Sequence, residues 1–131
     1  MKVVLDSNVL LAAFRAHGFC HALVAICVDR HALILSEAIP AEVEEHLSGK
    51  FGASAAHARQ VAAFLRAECH IVQPAAISTE SCHDTDDLPI WGTALAGKAD
   101  CLGTGDQALL SLETFQGVRI LSPRDFYEQL C

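Results

Sequence analysis

Five aspartates stand where a carboxylate is chemically useful: Asp6, Asp84, Asp86, Asp87 and Asp106. Asp6 is the only charge in the apolar run VVLDSNVLLAAF, residues 3–14. It directly follows Val3-Val4-Leu5, and Asp106 follows Cys101-Leu102-Gly103-Thr104-Gly105 in the same manner, just ahead of a helical pattern. Both acids are therefore expected at the carboxyl ends of strands, where open parallel sheets place their ligand crevices. A single Asp in such a place is more often a helix cap. With Asp84, Asp86 and Asp87 opening another helix, too many carboxylates gather for caps alone. Carboxylates without a balancing Lys or Arg repel each other, and a hard divalent cation with oxygen ligands relieves that repulsion. Magnesium or manganese fits best, and phosphodiester hydrolysis is the chemistry such a site supports.

The elements that must position these acids alternate between short apolar runs and longer helical periods. That is the pattern of β-α units around a parallel sheet buried on both faces. Strands are expected at Val3 to Leu5, Ala32 to Leu35, Cys101-Leu102 and Arg119 to Leu121, with His70 to Val72 a weaker fifth. Helices are expected near 8–16, 20–29, 40–47, 54–68, 88–97, 107–112 and 124–130. Ser122-Pro123 reads as a cap followed by proline at the first helical position, with Asp125 in the first turn. Pro40 belongs at the first residue of its helix, which makes Ser36 to Ile39 a turn. The stretch from His70 to Asp86 reads as a long loop. Gly103 and Gly105 are expected to let the backbone pass close to the crevice.

Composition bounds the rest. The 131 residues suit one domain spanning 1–131. The chain is 52% hydrophobic with a mean hydropathy of +0.32, yet no apolar run reaches the roughly 20 residues of a membrane span. No signal peptide is legible, so a cytoplasmic location with no membrane association is expected. A net charge of −7 argues against a protein that holds nucleic acid mainly by neutralising phosphates. The basic residues are dispersed; Lys50, Arg59 and Arg66 share a neighbourhood that reads as a solvated face. Six cysteines without a CxxC read as reduced, mostly buried thiols. The dipeptides Cys20-His21, Cys69-His70 and Cys82-His83 match no zinc spacing, though scattered pairs can converge on zinc.

The segments LDSNVLL, AEV, DDLPIWGTALAGKAD, LGTGDQALL and VRILSPRDF, in that order, resemble the PIN-domain ribonucleases, especially the toxin components of bacterial toxin-antitoxin pairs. The resemblance spans nearly the whole chain. It implies a three-layer α/β/α sandwich with a short, mostly parallel central sheet, and a metal-dependent endoribonuclease acting on RNA with Mg2+ or Mn2+. It also implies a cognate antitoxin and a homodimer. Carried over by position, Asp6, Glu42, Asp87 and Asp106 form the acidic site, which is both catalytic and metal-binding. Ser7 and Asn8 match polar positions that orient ligands or waters.

Glu42 competes with Glu45, and Glu44 stands close by. Ile39, Val43 and Leu47 repeat every four residues as a buried stripe, and Glu42 borders it. Asp87 is preferred over Asp86 and Asp84 because Ile90 and Ala94 match apolar positions of the family in that helix. Thr104 fits two roles equally, bonding a carboxylate or metal water, or packing in a Gly-flanked turn. Trp91 and Gly92 replace smaller or aliphatic residues, and Trp91 is expected to anchor the core or a dimer interface. Two other functions compete. In one, Asp6 is an acyl-phosphate nucleophile of a phosphohydrolase, but the haloacid-dehalogenase-like pattern wants Asp where this chain has Asn8. In the other, the chain is a non-catalytic PIN-like module that binds RNA or protein, against which the four acids count.

Overall fold

Valine, isoleucine and leucine runs too short for helices pair into strands here, and the longer amphipathic stretches between them cover the sheet. The structure, a computed structural model, describes residues 1–15, 18–49, 52, 54–76 and 88–130. In chain order the elements are β1 (Lys2–Leu5), α1 (Ser7–Arg15), α2 (Phe19–Arg30), β2 (Ala32–Ser36), α3 (Ala38–Ser48), α4 (Ala55–Glu68) and β3 (His70–Val72). There follow α5 (Leu88–Ala96), β4 (Cys101–Gly103), α6 (Gln107–Leu110), β5 (Thr114–Phe115), β6 (Val118–Leu121) and α7 (Pro123–Leu130).

Among the described residues six strands form one sheet in the order β3-β2-β1-β4-β6-β5, parallel except for β5. Register follows the period of two. Val3, Leu5, Leu33, Leu35, Cys101 and Leu121 point into one core with α1, α2, α3, α4 and α7. Val4, Ile34, Leu102 and Ile120 point into the other, with α5 and α6. The result is a mixed α/β fold of three layers, its mostly parallel sheet flanked by helices on both faces. Fully burying one Leu or Val in these layers contributes about 1.5–3 kcal/mol over leaving it exposed.

The expected helices and strands are present with shifted ends. Ser54 caps α4 through its side chain, which accepts from the His57 N–H at 3.1 Å. Ser122 likewise accepts from the Asp125 N–H at 3.1 Å, and Pro123 opens α7. Three expectations need correction. Ser36 ends β2 and α3 begins at Ala38, so Pro40 is the third helical residue; it fits because the first-turn N–H groups have no partner within the helix. Helix α6 stops at Leu110, and β5 with β6 makes a hairpin not foreseen in the sequence. Its Gln116-Gly117 turn has φ of 47° and 86°, the two left-handed residues of a type I′ loop. Finally, Gly105 has open space around it, whereas a Cβ at Gly103 would come to 2.7 Å from Leu5 Cδ2.

Candidate active site

The strand order reverses beside β1. The chain leaves β1 for β2 and β3 on one side and returns to β4 on the other, which opens a crevice at the carboxyl ends of β1 and β4. Asp6 stands at that point. Its N–H donates to the Gly103 carbonyl at 2.9 Å, and its own carbonyl accepts from Val9 and Leu10 at 3.0 and 3.2 Å, beginning α1. Backbone bonds on both sides thus fix where the carboxylate departs.

Thr104 joins two of the acids. Its hydroxyl donates to Asp6 Oδ2 at 2.9 Å and accepts from the Asp106 N–H at 3.1 Å, and the residue has no exposed surface. Of the two roles open to Thr104, the structure therefore supplies both: it packs in the turn and bonds a carboxylate. Asp106 is exposed; its Oδ1 caps α6 by accepting from the Ala108 N–H at 2.9 Å.

A cleft of about 250 Å³ opens beside Asp6. Asp6 and Ser7 enter it from the β1–α1 joint, Ser36, Ile39 and Glu42 from β2 and α3, and Pro89, Ile90 and Thr93 from α5. Glu42 therefore shares the cleft with Asp6. Glu44, Glu45, Asn8 and Asp106 do not line it. Val43 and Leu47 are buried, which holds α3 in the rotation that turns Glu42 toward the cleft. Asp84, Asp86 and Asp87 lie outside the described residues.

The family model of the PIN domain matches residues 2–108. The chain belongs to the PIN-domain family. A chain in the crystal structure of VapBC2 from Rickettsia felis bound to a DNA fragment from their promoter shares the fold. It superposes with a TM-score of 0.62 at 14% identity over 92% of this chain and 97% of that one. No curated protein sequence is matched.

The donor set of this PIN domain tests whether a metal fits. Among the described residues, no three His, Cys, Asp or Glu side chains stand together as a metal site. Asp6, Glu42, Ser7, Ser36 and Thr93 are the cleft's polar lining, and among the described residues no Lys, Arg or His lines it. Among the described residues that is a hard, oxygen-only set without a neutralising side-chain cation, which fits magnesium or manganese better than zinc.

The cysteines offer nothing comparable. Burial pushes the Cys69 thiol up to about 12, with the Glu68 charge adding to it. Burial likewise lifts Cys101 to about 11, with Asp100 adding and Arg119 and the N-terminus opposing. Cys20 is raised by burial as well. Thiols held protonated are poor ligands and nucleophiles. His21 and His70 are exposed, and Cys82-His83 lies outside the described residues.

Trp91 is a core residue with no exposed surface, stacked on Phe115 at a ring separation of 4.3 Å. Its Nε1 has no hydrogen-bond partner among the described residues, a cost of about 1–3 kcal/mol offset by its buried ring. Gly92 is explained by contact: a Cβ there would overlap the Ala75 carbonyl oxygen and meet Pro74 Cβ at 3.0 Å. Two cleft residues escaped the sequence reading, Ser36 and Thr93. Ser36 ends β2 as Leu5 ends β1, so reading strand ends for hydroxyls as well as acids would have found it. Thr93 follows Ile90 by three residues on one face of α5.

Proposed function

We propose that this PIN domain is a metal-dependent endoribonuclease and the toxin of a toxin-antitoxin pair, working as a cytoplasmic homodimer with a cognate antitoxin. One observation carries the reading: Asp6 and Glu42 share a cleft that no basic residue lines among the described residues, at the strand-order reversal, with Thr104 linking Asp6 to Asp106. Asp6, Glu42 and Asp106, with Asp87, would hold Mg2+ or Mn2+. The ion would supply Lewis acidity at a phosphoryl oxygen and make water a competent nucleophile at neutral pH. Hydrolysis joins a water oxygen to phosphorus while the bond to one sugar oxygen breaks, leaving a phosphomonoester and a hydroxyl. Thr104 fixes the direction of the Asp6 carboxylate, and Ser7 and Asn8 orient ligands or water. The likeness to a chain of the VapBC2 complex supports an antitoxin partner.

The test is manganese-dependent cleavage of a mixed RNA pool by purified protein beside Asp6→Asn. The parent should cut RNA and the variant should lose nearly all cleavage. The metal-free variant should melt at the parent's temperature or higher, because an amide removes like-charge repulsion while keeping an oxygen for Thr104. RNA bound but never cut would favour a non-catalytic module. Turnover of small phosphomonoesters through an acyl-phosphate at Asp6 would favour the phosphohydrolase. A destabilised Asp6→Asn that still cuts normally would make Asp6 a structural cap.

A further inference from the structure

The cleft beside Asp6 carries features that a hydrated cation does not use. Ile39 and Ile90 stand in its walls from opposite layers of the sandwich, each packed against a different core, and Pro89 joins them. Water and metal gain nothing from such walls. Besides Ser7, two further hydroxyl-bearing residues line it, Ser36 and Thr93. Ser36, 4% exposed, stands at the end of β2 in the lining of the cleft. Thr93 is 3% exposed, and its hydrogen is already committed to the Pro89 carbonyl at 2.7 Å. It therefore offers the cleft only an acceptor, while Ser36 can donate or accept.

The wall is also held in place. The Ala75 N–H donates to the Gly92 carbonyl at 2.9 Å, the close approach at Gly92 presses α5 onto residues 74–75, and Trp91 stacks on Phe115. The volume of about 250 Å³ falls below the ~300–1,000 Å³ of drug-sized sites. It suits one flat ring. We infer that this cleft is a nucleobase socket that seats one unstacked base of the RNA between Ile39 and Ile90, with its polar edge on Ser36 and Thr93. The inference rests on the ribonuclease reading for its RNA. Unstacked bases of single strands present apolar faces and hydrogen-bonding edges together, which is the combination found in these walls.

The experiment titrates metal-free protein with adenosine, guanosine, cytidine and uridine, which carry no phosphate, and reads binding by saturation-transfer NMR. At least one nucleoside should bind at millimolar concentration. Ser36→Ala and Thr93→Val should each weaken it by about three- to tenfold, and Ile90→Trp should abolish it by filling the cleft. Melting curves establish which variants are folded. No nucleoside binding by the parent overturns the socket, as does unchanged binding in folded Ile90→Trp. If Ile90→Trp does not fold, unchanged affinity in folded Ser36→Ala and Thr93→Val overturns it equally. Binding of N-acetyl-leucinamide in place of nucleosides would mark a socket for a protein side chain instead. RNA cleavage by the parent separates the two claims. Nucleoside binding without cleavage leaves the socket and removes the ribonuclease; cleavage without nucleoside binding does the reverse.

Discussion

Thr104 is buried without residual surface, and both of its hydroxyl contacts serve acids of the proposed site. Thr104→Val keeps the shape and removes both bonds, leaving the Asp106 N–H and one Asp6 oxygen without that partner. Groups that orient metal ligands typically affect affinity or activity by about 10–100-fold. A loss of that size in manganese-dependent cleavage is expected, restored by Thr104→Ser, and rate measurements on folded protein check it. Lys98 makes a contrasting case remote from the cleft. It lies between α5 and β4 with φ of 52°, donating to Leu95 at 3.2 Å while Ala99 donates to Ala94 at 2.9 Å. These are the two bonds of a Schellman motif, whose left-handed position favours glycine. Lys98→Gly should raise stability by about 0.5–1 kcal/mol, the relief of strain less the entropy of a freer unfolded chain. Urea unfolding measures it, and cleavage should not change.

At the scale of elements, α5 is the wall whose placement decides the cleft. On an isolated helix Gly92→Ala would gain about 1 kcal/mol of propensity. Here the added methyl meets the Ala75 carbonyl and Pro74, so overpacking reverses the sign and a net loss of about 1–3 kcal/mol is expected. Thermal melting decides between the signs; a gain would show that residues 74–75 yield freely. The same helix shows why packing was illegible locally. Trp91 and Gly92 look like departures when read along the chain, yet one fills a core and the other admits a backbone. The β5–β6 hairpin escaped notice for a related reason. Two residues are too few to show alternation, and Gln-Gly is a weaker turn signal than Asn-Gly.

At the scale of the whole molecule, the proposed cation links folding to function. A ligand bound only by the folded state adds RT ln(1 + [L]/Kd), about 2.7 kcal/mol at a hundred times Kd. Magnesium and manganese should therefore raise the melting temperature. Calcium should raise it too, yet fail to support full cleavage, because it is larger and takes looser coordination. Melting curves with each ion are the measurement. No shift with magnesium or manganese at millimolar concentration would count heavily against the metal site.

Local signals were enough for most of the fold. Short apolar runs, helical periods and the cap at Ser122 are properties of neighbouring residues, and among the described residues they identified the seven helices and five of the six strands. They also placed Asp6 and Asp106 at strand ends. What pairs with what is not local. Only the strand order puts the ends of β1 and β4 side by side, so that Thr104 reaches Asp6 across a sequence separation of 98. Only the packing of α3 turns Glu42, and not Glu45, into the cleft of Asp6. The hydroxyls of Ser36 and Thr93 carry no charge and no motif, so a one-dimensional pattern gives no reason to single them out. They become a pair when β2 and α5, distant in sequence, bound one cleft, because burial and proximity arise from long-range packing and not from residue type.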